Sequence, residues 1–173
     1  AHVTQYADDT QIFISGSKHN IPDLIQRMES TLSTLATWFH AHGLKLNASK
    51  TEILLLGTRQ NTRGLSPVSV RVGGGTIRES PCIRNLGVIF DRHLTWDAHV
   101  SDVVRRCVGL LIGLRHLSHF LPRRVMLTLV HGLVMSRVRY CISVYGNGSA
   151  ANDTRLLRVI NFATRVVTGL RKY

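Results

Sequence analysis

The sequence predicts an α+β fold, with small strand segments first and helices last. Three observations predict it. Short runs of alternating apolar and polar residues, bounded by turn formers, occur at 3–15, 68–78 and 82–90. Apolar residues at three- and four-residue spacing fill 24–39, between the first two of those runs. From residue 98 the helical spacing takes over and dominates the remainder. A hydrophobic content of 44% in 173 residues suits one domain or two small ones and excludes general disorder.

Each element has its own signal. Val3 to Gln5 alternates, Tyr6-Ala7-Asp8-Asp9-Thr10 follows, and Gln11 to Ser15 is β-branched and aromatic before Gly16. That reads as strand, tight turn, strand, with two aspartates at the tip. Asn20 or the residue after it caps a helix, and Pro22 fits its first turn. Leu24, Ile25, Met28, Leu32, Leu35, Ala36 and Phe39 form its apolar stripe, to about His42, with Gly43 as the stop. Residues 43–52 read as a loop and Ile53 to Leu56 as a buried strand. Residues 58–66 are polar and turn-rich, a loop. Pro67 to Val72 is a strand, Gly73 to Gly75 a turn, and Thr76 to Arg78 the returning strand. The triple glycine lacks the spacing and the Lys-Ser/Thr of a phosphate-binding loop. Cys82 to Phe90 reads as one strand with a glycine inside it.

Three helices are expected next. The first, about 98–118, carries Val100, Val103, Val104, Cys107, Leu110, Leu111 and Leu114. Leu121-Pro122 breaks it. The second runs from Arg123 to about Val138, with Val125, Leu129, Gly132 and Leu133 as its stripe. Residues 140–145 are strand-like or a helix end, and 146–149 a loop. Asn152 or Asp153 caps the third helix, 154–169, which carries Leu156, Leu157, Ile160, Ala163 and Val167.

The net charge of +12 is unevenly placed. Residues 1–52 hold four Lys/Arg against five Asp/Glu, residues 53–97 six against three, and residues 98–173 twelve against two. Eighteen of the 22 basic residues are Arg, which suits bidentate contact with phosphate. A net +10 over the last 76 residues exceeds what solubility requires and points to a polyanionic partner. With no lipid-anchor motif, nucleic acid fits better than a membrane.

No apolar run reaches the ~18 residues that span a membrane, and no signal peptide is visible. The first residue is not Met and already lies in an expected strand, so the chain is expected to be part of a larger intracellular protein of cytoplasm and nucleus. Cys82, Cys107 and Cys141 are distant from one another and expected to be reduced thiols. His40-x-His42 and His116-x-x-His119 have no partner at zinc spacing, so no structural zinc is expected.

An Asp-Asp pair is ordinarily a solvated turn. On a hairpin tip, however, adjacent carboxylates repel unless a cation lies between them, and two rigidly held carboxylates are a common way to position magnesium. The whole stretch Gln5-Tyr6-Ala7-Asp8-Asp9-Thr10 resembles the Tyr-x-Asp-Asp box of reverse transcriptases, in the form found in non-LTR (LINE-type) retrotransposons. The later order of elements is similar too. In that family a helix follows, then a Gly-Leu-x-Leu-Asn-x-x-Lys-Thr stretch and a strand; here Gly43-Leu44-Lys45-Leu46-Asn47-Ala48-Ser49-Lys50-Thr51 stands at that place. Leu86-Gly87-Val88 resembles part of the family's primer-grip stretch, with Asn85 where an aromatic is common.

The resemblance implies the C-terminal part of a palm over 1–90 and a helical, basic thumb over 91–173. It implies RNA-templated DNA synthesis, with an RNA template, a DNA primer and deoxynucleoside triphosphates as partners. It implies two Mg2+ ions ~4 Å apart. Asp8 and Asp9 are then metal ligands, completed by an aspartate from an earlier strand. Tyr6, Ala7 and Asn47 lie near the primer end and nucleotide, and Lys50 near the leaving pyrophosphate. Arg105, Arg106, Arg123, Arg124 and Arg158 are the candidate nucleic-acid contacts. With only two of the family's carboxylates, these 173 residues alone are expected to be inactive. The competing readings are a non-catalytic nucleic-acid-binding module or decayed retroelement remnant, and an unrelated basic scaffold.

Overall fold

The computed structural model describes residues 1–72, 74–146 and 148–170. It is α+β and falls into two compact units, Ala1–Ile83 and Arg84–Tyr173. The expected turn residue Gly73 and loop residue Asn147 lie outside the described residues.

The first unit opens with β1 (His2–Tyr6) and β2 (Asp9–Phe13), an antiparallel pair in which Tyr6 lies opposite Asp9. Helix α1 (Ile21–Ala41) follows, and His42 and Gly43 (φ 73) end it. Its expected stripe faces inward: Leu32 is buried and the other six positions are half-buried. Asn20 occupies the cap position but its side chain makes no capping hydrogen bond; Pro22 supplies the pre-set first turn instead. β3 (Ser69–Val72) and β4 (Gly75–Arg78) pair antiparallel, and α1 packs on β3. Leu32, Val70 and Val72 form the buried cluster, with Ile12, Ile25, Met28, Leu46, Ile53 and Ile77 against it.

Two elements differ from expectation here. Ile53 to Leu56 is not a strand: Ile53 makes one isolated parallel bridge to Glu79, and the run beyond it is irregular. Apolar content alone cannot make a strand when no neighbour extends the ladder. Within 58–66, Arg59–Thr62 forms a short helix, α2, because the Thr58 hydroxyl accepts the Asn61 N–H and the Thr62 hydroxyl donates back to the Thr58 carbonyl.

Residues 82–91 form a hairpin rather than one strand. β5 (Cys82–Asn85) turns at Leu86 and Gly87 into β6 (Val88–Asp91). Both turn residues have positive φ, 44 and 83, the pattern of a two-residue type I′ turn. The internal glycine is therefore the turn itself. The Asp91 carboxylate then accepts N–H bonds from His93, Thr95 and Trp96, shaping the entry to α3 (Asp97–Leu117). Burial opposes ionisation of Asp91, but these donors hold its carboxyl below the ordinary range.

The second helix is three segments: α4 (Arg123–Val130), a π turn (His131–Met135) and α5 (Ser136–Arg139). Its buried residues are Met126, Val130, Val134 and Val138, not the expected stripe; Val125, Gly132 and Leu133 are exposed. A spacing of four at every step drifts off one face of a 3.6-residue helix, and the wider π turn restores the phase. After Cys141 (φ 54) comes α6 (Ile142–Tyr145), then α7 (Ala150–Thr168), capped by Ser149 rather than by Asn152 or Asp153. Asn152 is buried instead. Its amide donates to the Thr95 carbonyl and to Asp97, tying α7 to the start of α3. On α7, Leu156, Val159, Ala163 and Val166 are buried and Leu157 is exposed.

Candidate active site

The Ala7–Asp8 turn links β1 and β2 with two residues. Ala7 adopts φ 53, the left-handed region that costs an L-residue roughly 1 kcal/mol. Side chains alternate across strands, so the register puts Tyr6, Asp9, Gln11 and Phe13 on one face and Ile12 on the other. Ile12 packs against the α1–β3 cluster. Asp9 therefore projects away from the core, beside Tyr6, which is 67% exposed. Asp8 and Asp9 are exposed, and no hydrogen bond or ion pair engages either carboxylate among the described residues. Two hard oxygen donors suit a hard divalent cation. Among the described residues there is no cluster of three or more His, Cys, Asp or Glu able to hold a metal.

Asn47 organises the loop that bears Lys50. Its side-chain oxygen accepts from the Ser49 N–H (3.1 Å) and hydroxyl (2.7 Å), and its carbonyl accepts from Lys50 N–H (3.1 Å) and the Thr51 hydroxyl (2.8 Å). The result is a single 3-10 turn, Ala48–Lys50, with Lys50 exposed at its end. The amide oxygen of Asn47 is thus occupied within its own loop. Leu46 and Ile12 pack on one cluster, so the lysine loop and the aspartate hairpin share an anchor.

The five candidate arginines are all exposed on helices of the second unit. Arg123 and Arg124 occupy the first turn of α4, and Arg158 lies on α7. Arg105 and Arg106 are not free. Both donate to Asp102, at 2.6 and 3.0 Å, and Arg84 from β5 donates to the same carboxylate at 3.0 Å. Burial raises the Asp102 pKa, but the three guanidiniums outweigh it and hold it at about 2. Arg84 and Asp102 were not singled out from the sequence. The Asp102–Arg105 and Asp102–Arg106 spacings are the ordinary helix-pair signal; nothing local to Arg84 announces its partner.

A sequence model described as reverse transcriptase (RNA-dependent DNA polymerase) matches residues 1–90, the stretch that contains the aspartate hairpin and the lysine loop. The chain belongs to the reverse transcriptase family. All of this reverse transcriptase chain is also similar to a probable RNA-directed DNA polymerase from transposon BS of Drosophila melanogaster, at 29% identity over 182 aligned residues. The chain spans 19% of that relative's length. No solved structure matches it. Membership carries with it the family's general dependence on a divalent metal. Among the described residues, no helix is long and apolar enough to cross a membrane.

Proposed function

We propose that this chain is the C-terminal part of the palm (1–90) and the thumb (91–173) of a non-LTR-type reverse transcriptase. It would take part in Mg2+-dependent nucleotidyl transfer onto a DNA primer paired with an RNA template. One observation carries this reading: two exposed carboxylates, Asp8 in a two-residue hairpin turn and Asp9 at the start of β2, neither engaged among the described residues, inside the residues the family matches. Asp8 and Asp9 would hold the metal, with the remaining carboxylate drawn from another strand of the full protein. The bound ions would supply charge neutralisation and an activated primer hydroxyl. Asp9 would act from the exposed face of β2, beside Tyr6 at the primer end. Lys50, held by the Asn47-capped turn, would neutralise the departing pyrophosphate. The exposed arginines would bind the duplex through phosphate, which carries no base information.

Mn2+ can stand in for Mg2+ as a paramagnetic probe of amide NMR signals. Broadening centred on residues 6–10 and lost in Asp8→Asn/Asp9→Asn is the expected result. Broadening elsewhere, or unchanged in the double variant, would count against the metal assignment.

A further inference from the structure

We infer that Asp102 is a positioning residue that gathers Arg84, Arg105 and Arg106 into one phosphate-binding array for the backbone of a bound nucleic acid. The inference rests on the duplex-binding reading and adds to it a residue, Arg84, and an organising carboxylate.

The geometry is built rather than incidental. Three guanidiniums from two elements converge on one carboxylate, β5 contributing Arg84 and α3 the other two. The carboxylate is largely covered, its side chain 11% exposed, whereas the Arg105 side chain is 75% exposed. The anion is inside and the cations outside, so the group presents a net charge of +2 to solvent. Each guanidinium has five N–H donors and spends one or two on Asp102. The rest remain for a second acceptor. Among the described residues, Arg84 alone of these three has another protein partner, the Gly87 carbonyl at 3.2 Å. That bond fixes Arg84 to the turn of its own hairpin. The same turn is held from α5's end, where the Tyr140 hydroxyl donates to the Leu86 carbonyl at 2.7 Å. The array therefore sits on a braced platform.

Without the carboxylate, three guanidiniums so close would repel one another and disperse. This gives the inference a sign that simple charge counting does not share. Asp102→Asn raises the net charge by one, so a diffuse electrostatic surface would bind a polyanion more tightly. A positioned array loses its organiser and binds more weakly.

The test is fluorescence anisotropy of an RNA–DNA hybrid with the 173-residue chain at several salt concentrations. For Asp102→Asn the expected result is affinity lower by roughly tenfold, with a salt dependence shallower by about two phosphate contacts. Arg105→Gln removes the most exposed member without touching the hairpin. It should lower affinity about threefold and reduce the slope by about one contact. Unchanged or tighter binding by Asp102→Asn overturns the array. Should that variant fail to fold, Arg105→Gln decides alone: binding with the wild-type slope overturns it. An Arg123→Gln/Arg124→Gln/Arg158→Gln variant separates the two readings. If it loses affinity while both array variants bind like wild type, the array is wrong and duplex binding stands. If the wild-type chain does not bind the hybrid at all, both fail.

Discussion

Among the described residues of 84–173, sixteen apolar side chains are buried in one cluster, from Val88 to Val166. In residues 1–83 the corresponding cluster has three, Leu32, Val70 and Val72. The half with the family's motif is the half with little core. Strand β1 is exposed along its whole length, on both faces. A two-stranded hairpin is marginal by itself, so β1 contributes position more than stability. The difference fits the work proposed for each half. Carboxylates that must meet a metal and a nucleotide have to project into solvent, while helices that grip a duplex can bury one face completely.

Each half also has its own reporter. Trp38 lies on α1, half exposed and stacked on His42, and Trp96 is buried against Phe90. The largest expected effect is a core truncation. Leu111→Ala removes a fully buried side chain from the centre of the large cluster and should cost about 3–5 kcal/mol. Leu32→Ala, at the edge of a thin cluster, should cost roughly 2–3 kcal/mol. In denaturant titrations followed in Trp38→Phe and Trp96→Phe backgrounds, each truncation should move chiefly its own unit's midpoint. A single transition common to both would break the comparison.

The next effect is acid sensitivity. Asp102 is held at about 2 when folded, below the ordinary carboxylate range, so its contribution is complete above about pH 4 and lost as pH falls through about 2. His99 adds a second window. Its Nδ1 accepts the Ile89 N–H, which leaves the proton on Nε2, a buried atom with no hydrogen-bond partner among the described residues. Burial lowers its folded pKa, with Asp102 opposing and Arg84 assisting. The unfolded chain therefore takes up the proton first, and stability falls as pH drops below about 6.5. The Trp96 midpoint should decline between pH 7 and 5 more than the Trp38 midpoint, and His99→Gln should flatten that decline.

Glycine turns give a finer comparison. Gly74 has φ 84 with open space around it; Gly87 has φ 83, and an added Cβ would lie 3.4 Å from the Tyr140 ring. Gly74→Ala should cost about 1 kcal/mol from backbone strain alone. Gly87→Ala should cost a few tenths more, and Tyr140→Ala should remove that surplus. The smallest effect is at the tip itself. Ala7→Gly relieves left-handed strain at φ 53 but frees the unfolded chain, so a gain of roughly 0.5 kcal/mol is expected in thermal melts.

What could be read in advance follows from range. α1 and α3 were legible because their stripes obey one period and their stops are local. The hairpin at the aspartates was legible because turn and strand signals abut. Three of the readings that failed wanted facts that residue type does not carry. Ile53 to Leu56 has strand composition but almost no pairing neighbour. Leu86-Gly87 reads as an interrupted strand until both φ angles prove positive. Asn152 has the composition of a cap, yet its partners lie 57 and 55 residues away. At the candidate site, the residue types at the hairpin and at Lys50 were visible from sequence. The grouping of Arg84 with Asp102 was not, because it joins a strand to a helix 18 residues on.

The π turn at His131–Met135 has a consequence for how chains of this kind can differ in length. A helix normally cannot lose one residue, since everything beyond it rotates by about 100° and the buried face turns outward. A π turn is the place where one surplus residue is already stored. A relative lacking Gly132 would close the segment into ordinary helix and still present Met126 and Val138 inward. The same deletion in α7 would turn Val166 out of the cluster. Single-residue gaps against relatives are expected in this segment, and an alignment that puts one in α3 or α7 instead shifts every residue between there and the π turn by one.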